Sequence, residues 1–266
     1  MTQPPDAAGR ADAAPSPLGS VDKALLTLDA LARAGAGGTT LAALAAEVGA
    51  NKSTLHRTLS ALRHRGYAEQ DDAGTYRLGP AVLALGTAYL AEDNLPALLR
   101  PALEALRDDV DELVHLGVLA GTEVVYLDKV EPQRPLRVWS AVGRRVPVAT
   151  TALGRALLAA APSDDAELAR FAAATGTGPA TTADRLHATL DDARARGYAS
   201  ETEENEPGIA CVAVALLRAG RPVAAVSITA PAERMTGAAR AARVAALREL
   251  LPTVLPVGLT VPAPTT

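Results

Sequence analysis

Apolar residues recur at helical spacing three times early in the chain. Val21, Leu25, Leu28 and Leu31 follow a capping Ser20 and give way to Gly35-Ala36-Gly37-Gly38. Leu41, Leu44 and Val48 follow Thr40 and stop at Gly49, and Leu55, Leu59 and Leu62 follow Asn51 and stop at Gly66. Residues 67–70 and 75–78 flank Asp71-Asp72-Ala73-Gly74, the pattern of a β-hairpin closed by a glycine-containing turn. Three short helices and a hairpin predict one small domain over 20–79.

Residues 78–91 carry no charge, and Pro80 stands where a first helical turn accepts proline. As a helix, this segment places Val82, Leu85 and Tyr89 on one face and Leu83 and Leu90 on another. A helix apolar on two faces must be covered on both. A second subunit is the simplest cover, with burial inside the same chain as the alternative, so 80–93 is expected to be a dimerising linker helix. Beyond it, helices over 98–113, 151–160, 186–196 and 237–251 alternate with strands over 114–119, 123–130, 136–142, 211–217 and 223–229. That alternation predicts an α+β domain over 94–255 around a mainly antiparallel sheet. Residues 1–19, rich in Pro, Ala and Gly, and residues 256–266 are expected to be flexible tails.

Composition narrows the function classes. The chain has 266 residues, 48% hydrophobic and 21% charged, with a net charge of −4, which is ordinary globular composition. One cysteine excludes a disulfide framework and thiolate zinc clusters, and no metal or cofactor is expected. The start lacks the apolar region of a secretory signal, and no run is long and apolar enough to span a bilayer, so a cytoplasmic protein is expected.

Charge locates the first candidate site. Residues 51–65, NKSTLHRTLSALRHR, hold Lys52, Arg57, Arg63, Arg65 and two histidines, and no acid. With Leu55, Leu59 and Leu62 turned inward, Ser53, Arg57, Ser60 and His64 point away, and Lys52, Thr54 and His56 flank the N-terminal end. Such a row suits phosphate oxygens and guanine edges. A short helix, a turn at Gly49-Ala50 and then this helix is helix-turn-helix order, and the hairpin behind it would be a wing. Four basic residues alone would mark a solvated face. The spacing, the missing acids and the hairpin together favour double-stranded DNA as the partner.

An enzyme is the competing class. The chain has no GxSxG, P-loop, HExxH or strand-borne GxGxxG, and Gly176-Thr177-Gly178 runs into Pro179 in a small-residue loop. Glu201, Glu203, Glu204 and Glu206 could serve acid–base chemistry but fit a solvated acidic loop better. A scaffold that has lost DNA binding would carry an acid in place of Lys52 or Arg57, and neither is replaced.

Five segments then resemble successive signatures of the IclR family: SVDKALLTLDALA (20–32), LAALAAEVGANKSTLHRTLSALRHRGYAEQDDAGTYRLG (41–79), VVYLDKVE (124–131), VGRRVPVATTALGRALLA (142–159) and ENEPGIACVAVAL (204–216). The resemblance implies a winged helix-turn-helix domain, a linker helix and a C-terminal GAF-like effector-binding domain. It also implies dimers, often paired into tetramers, that act as repressors or sometimes activators of catabolic or other metabolic operons. DNA contacts are implied at Lys52, Ser53, Thr54, His56 and Arg57, and the wheel adds Ser60. Asn51 departs from the family's frequent proline, though either residue starts a helix.

The implied effector residues are Val138 on a preceding strand, Thr151, Ala152 and Leu153 at a helix start, and Glu201, Ile209, Cys211, Ser227 and Thr229. Free N–H groups at a helix start favour a carboxylate, and Ser227 and Thr229, two apart on a strand, share a face. Val138, Leu153 and Ile209 would supply apolar wall. A small organic or aromatic acid is therefore the expected effector. Glu201 stands where the family commonly has aspartate, and Ala152 where some members have glycine, and both changes shrink or reshape the pocket. Cys211, among apolar neighbours, is expected to be a buried small residue or pocket wall rather than a reactive thiol. The implied mechanism is a population shift in which effector binding alters the spacing of two recognition helices.

Overall fold

The computed structural model describes residues 19–92, 94–134, 138–174 and 182–265. These fall into two compact units that divide after Asn94. The expected N-terminal tail and the Gly176-Thr177-Gly178 loop lie outside the described residues.

In the first unit, α1 (Gly19–Ala34), α2 (Leu41–Val48) and α3 (Lys52–His64) pack around a core of Leu31, Leu44, Leu55, Leu59 and Tyr76. Local chemistry sets the ends. Thr40 accepts from the Ala43 N–H at the start of α2, and Gly49 ends it in a left-handed conformation (φ 65°). Strands β1 (Ala68–Gln70) and β2 (Tyr76–Leu78) form the hairpin. Thr39 bridges to Tyr76 through two backbone bonds of 2.8 Å and ties the turn before α2 to the wing. Gly79 passes so close to Gly66 that an added Cβ would stand 2.2 Å from its carbonyl oxygen. Helix α4 (Ala81–Glu92) leaves Leu83, Leu85 and Tyr89 73%, 58% and 60% exposed, so within its own unit these side chains are not covered.

The second unit is built on a sheet ordered β5-β4-β3-β8-β7-β6, every pairing antiparallel. The strands are β3 (Leu113–Ala120), β4 (Glu123–Val130), β5 (Arg145–Pro147), β6 (Ala199–Thr202), β7 (Ile209–Arg218) and β8 (Arg221–Pro231). One face packs on α5 (Leu95–Val110) and the C-terminal helices through Leu99, Leu103, Leu106, Val212, Val226 and Leu247. The other packs on α6 (Ala152–Ala159), α7 (Asp165–Ala173) and α8 (Ala183–Arg196) through Ala213, Ala225, Leu153, Leu157, Phe171 and Leu190. Cover on both faces explains why β7 and β8 read as nearly continuous apolar runs rather than alternating ones.

Several expectations are corrected. The helix expected over 98–113 runs Leu95–Val110, because Asp111 at φ 45° ends it and Leu113 already belongs to β3. The strand expected over 136–142 is absent over 138–142, its first two residues lying outside the described ones, and the pairing comes at β5 instead. The closing helix is broken into α9 (Gly237–Ala245), a π turn (Ala246–Leu250) and α10 (Leu251–Val254). The C-terminal segment is not a free tail: β9 (Leu259–Thr260) pairs with Leu217 and Arg218 of β7. Helix α7 and strand β6 were not anticipated. Asp164, accepting from the Glu167 N–H at 2.8 Å, was the legible start of α7.

Candidate nucleic-acid interface and effector site

Helix α3 takes its orientation from Leu55 and Leu59, which are buried against the rest of the first unit. Its start is held by Asn51, whose Oδ1 accepts from the Thr54 N–H (2.8 Å) and from Ser53 Oγ (2.9 Å). Lys52, Ser53, His56, Arg57 and Ser60 are exposed and Thr54 is half-buried. Not all are equally free. Ser60 donates to the His56 carbonyl of its own helix (2.8 Å), and Arg63 donates to Gln70 Oε1 on the wing (2.8 Å). Among the described residues, Lys52, His56 and Arg57 spend their side chains on no protein partner.

Beside them lies an open cleft of about 550 Å³ lined by Ser60, Arg63, His64, Glu69, Gln70 and Arg77. Arg77, on β2 and bonded to Glu69 at 3.2 Å, was missed in the sequence because its neighbours are mixed in charge. The wing tip itself is acidic. Asp71 accepts from the Thr75 N–H to close the turn, and Asp72 stands exposed beside it, so the hairpin's basic group lies at its base.

The second site is a polar row across the inner face of the sheet. Glu201 of β6, Cys211 of β7 and Thr229 of β8 are direct cross-strand partners, and Ser227 is the partner of His115 on β3. The row is wired. Cys211 Sγ lies 3.2 Å from Thr229 Oγ1, Thr229 Oγ1 3.3 Å from His115 Nδ1, and His115 Nε2 2.6 Å from Ser140 Oγ. The Tyr126 ring stacks 4.4 Å from His115. Glu201, His115, Ser227, Thr229 and Ser140 are all buried.

Burial decides the charge states. It pushes His115 down to about 3, helped by Lys129 and Arg144, so the imidazole is neutral and one ring nitrogen donates while the other accepts. It raises Glu201, against hydrogen bonds from Cys211 and from the Glu204 and Asn205 backbone. It also raises the Cys211 thiol well above its ordinary value, with the Glu201 charge adding to the effect, which makes Cys211 a protonated wall residue rather than a nucleophile. Tyr126 is raised for the same reason and stays protonated.

Helix α6 packs on the same face of the sheet as this row, with Leu153 and Leu157 in one core with Ala213, Ala225 and Cys211. Thr151 Oγ1 accepts from the Gly154 N–H (3.2 Å) and donates to the Pro147 carbonyl (2.9 Å), leaving the Ala152 and Leu153 amides in the first turn. Gly154 is required, since a Cβ there would stand 2.1 Å from the Val148 oxygen. Arg155, missed in the sequence, is buried and anchors α6. It donates to the Ala149 and Ser200 carbonyls and grips Glu204 with two bonds of 2.8 and 2.5 Å. A charge inside the uncharged run around ALGRALLA was its available signal.

Ile209 lies on the row's side of β7, two residues from Cys211. Leu153 reaches toward β3, where a Cβ on Gly117 would meet its Cδ1 at 3.2 Å. Val138 is half-buried on a loop rather than a strand, two residues before Ser140. His115, Tyr126 and Ser140 lie at the same row and were not singled out as ligand-site residues, because strand pairing places the first two and a long-range bond to His115 places Ser140. Among the described residues no cluster of three or more His, Cys, Asp or Glu could hold a metal, and no helix is long and apolar enough to cross a membrane.

Known proteins share both halves. Residues 20–72 match the IclR helix-turn-helix domain, and residues 87–253 match the bacterial transcriptional regulator IclR C-terminal domain. The HTH-type transcriptional regulator BhcR of Paracoccus denitrificans is 34% identical over 228 residues, covering 82% of this chain and 80% of its own. An IclR transcriptional regulator from Alicyclobacillus acidocaldarius superposes with a TM-score of 0.70 at 26% identity, covering 88% of this chain and 96% of its own. An IclR homolog complexed with 4-hydroxybenzoate from Microbacterium hydrocarbonoxydans shares the fold with a TM-score of 0.65 at 22% identity, covering 86% of this chain and 97% of its own. The chain belongs to the IclR family: it is an HTH-type transcriptional regulator, not an enzyme, with a DNA-binding domain and a C-terminal effector domain.

Proposed function

We propose that the protein is a cytoplasmic, homodimeric repressor whose hold on its operator is modulated by a small organic or aromatic acid. In this reading 20–79 reads DNA, 80–93 joins two copies and 94–255 senses the effector. Lys52, Ser53, Thr54, His56, Arg57 and Ser60 face the DNA. Val138, Thr151, Ala152, Leu153, Glu201, Ile209, Cys211, Ser227 and Thr229 enclose the effector together with His115, Tyr126 and Ser140.

One observation carries the effector half. A hydrogen-bonded polar row lies inside an otherwise apolar sheet face, on the side covered by α6. Buried polar groups are costly unless they serve specificity or a ligand. The first-turn amides of α6 supply the anion-facing end and the row supplies donors and acceptors for a hydroxyl. The dimer is supported by the exposed Leu83, Leu85 and Tyr89 on a helix that carries no charge until Glu92, since exposed apolar surface of that kind marks an interface. Repression is the simpler sign: a dimer on an operator blocks by occupancy, whereas activation needs an added contact with the transcription machinery.

The test is fluorescence anisotropy of the purified protein on DNA from its own upstream region against a scrambled duplex at two salt concentrations. Sequence preference that survives higher salt is expected, because non-specific phosphate binding falls steeply with salt. Carboxylates that shift this affinity identify the effector class. A reporter that falls when the protein is removed would make it an activator. Turnover of a bound acid would instead revive an enzyme.

A further inference from the structure

The polar row has no cation of its own. His115 is neutral and Glu201 is itself an acid, so a carboxylate seated at this row meets no cation among the row's own side chains. Burying an anion without a partner is costly. Three cations act on the row: Lys129 and Arg144 on His115, and Arg155 on Glu201. Two are occupied. Lys129 Nζ is bonded to Glu131 (2.6 Å) and to the Ser140 carbonyl. Arg155 makes four hydrogen bonds, to Glu204 and two backbone carbonyls.

Arg144 differs. Its side chain makes one hydrogen bond among the described residues, a long 3.3 Å contact from Nη2 to Glu206 Oε2, and its guanidinium lies 5.3 Å from the centre of the exposed Trp139 ring. Four N–H donors remain for another acceptor. Its place in the chain matters as much. Arg144 ends the 138–144 loop whose Ser140 bonds His115, while Glu206 sits on the 203–208 loop that follows Glu201. The second loop is fixed at its near end by Arg155 on Glu204, and it turns through Glu203 at φ 58° and Gly208 at φ 76°. The Arg144–Glu206 pair is thus a half-exposed tie between the two loops that flank a solvent-excluded row.

We propose that Arg144 is the charge-recognition residue of the effector chamber, held in reserve by Glu206, and that an anionic effector exchanges its carboxylate for that of Glu206 on entry. The exchange keeps Arg144 paired throughout. Glu206 moves into water, which costs little because it is already 38% exposed. It also releases the tie between the two loops, so the event that seats the ligand changes the mobility of the chamber wall. This rests on the effector reading above and adds to it the residue that selects acids over their neutral analogues.

The experiment is calorimetric titration of the full-length protein with benzoate, 4-hydroxybenzoate, pyruvate and succinate, each against its neutral amide. For any acid that binds, the acid is expected to exceed its amide by about tenfold or more. Arg144→Ala should weaken the acid by about 10- to 100-fold and leave the amide unchanged, collapsing the ratio. Arg144→Lys should restore part of it, and Glu206→Gln should tighten the acid several-fold. An acid-to-amide ratio that survives Arg144→Ala overturns the proposal and leaves the effector reading intact. If no carboxylate binds, the acid-effector reading fails and this proposal fails with it. Without ligand, hydrogen exchange in Glu206→Gln should quicken over 138–147 and 203–209, and unchanged exchange there would refute the tie.

Discussion

The two candidate sites use opposite designs. On α3 the working side chains come from one helix, and Lys52, His56 and Arg57 stand in water with no protein partner among the described residues, so the interface is nearly complete once the helix is capped and two leucines are buried. In the polar row the side chains come from several strands and a loop, are buried apart from the partly exposed Cys211, and are linked by hydrogen bonds from Cys211 through Thr229 and His115 to Ser140. A helix face that meets DNA loses little by being solvated beforehand, because phosphate binding draws on charge and released counterions. A chamber that selects a small molecule must satisfy its own polar groups while empty. Substitutions on α3 should therefore change function with little change in stability, and substitutions around the row should change both.

The largest test is Arg155→Ala. Removing it leaves Glu204 and two carbonyls without their shared donor in a buried site, and a loss of about 3–5 kcal/mol in unfolding free energy is expected. Denaturant unfolding that loses less than about 1 kcal/mol would end the contrast between the sites.

The next effect is with pH. The folded-state pKa of His115 lies near 3, below its ordinary value, so between those two pH values the unfolded chain binds a proton that the folded chain refuses. Stability is then lost as pH falls from about 6.5 toward 3, at up to about 1.4 kcal/mol per pH unit from this group. Glu201 works the other way above the ordinary glutamate range: its raised pKa lowers stability as pH climbs toward its folded value. Melting curves of His115→Asn between pH 7 and 5 should be flatter than those of the unaltered protein. An unchanged slope would mean that His115 is not held neutral by burial.

Arg57→Ala should weaken operator binding by at least about 1 kcal/mol with melting temperature and oligomeric state unchanged, as anisotropy and light scattering would report. Normal operator affinity would remove Arg57 from the interface. Asn51→Ala should cost about 1 kcal/mol of stability in the first unit through loss of the cap to Thr54. Ser60→Ala marks the lower end: its hydroxyl serves its own helix, so a change within about 0.5 kcal/mol is expected in both stability and DNA affinity. A larger drop on DNA would show that the hydroxyl turns outward to phosphate.

Legibility followed the range of the interactions. The first unit was readable almost to the residue because Thr40, Gly49, Asn51 and the leucine spacing act within one or two turns. The second was readable as element types with misplaced ends. The expected 98–113 helix slid because Asp111, not periodicity, decides where it stops, and β5 and β6, three and four residues long, carry too little pattern to stand out. The C-terminal segment looked free, yet a strand partner was waiting for Leu259. Ser227 and Thr229 could be placed on one face from strand parity alone. His115 could not be joined to them, since its alignment depends on β3 pairing with a strand more than a hundred residues away.

The sequence by itself determined the family, the helix-turn-helix order and the basic face of α3, because those rest on contiguous residues and helical period. Tertiary structure alone decided which polar side chains share the buried row, that Glu201 and His115 sit at shifted pKa values, that Arg155 is spent on anchoring α6, and that Arg144 faces Glu206. Burial and cross-strand register create those properties, and neither is a function of local sequence.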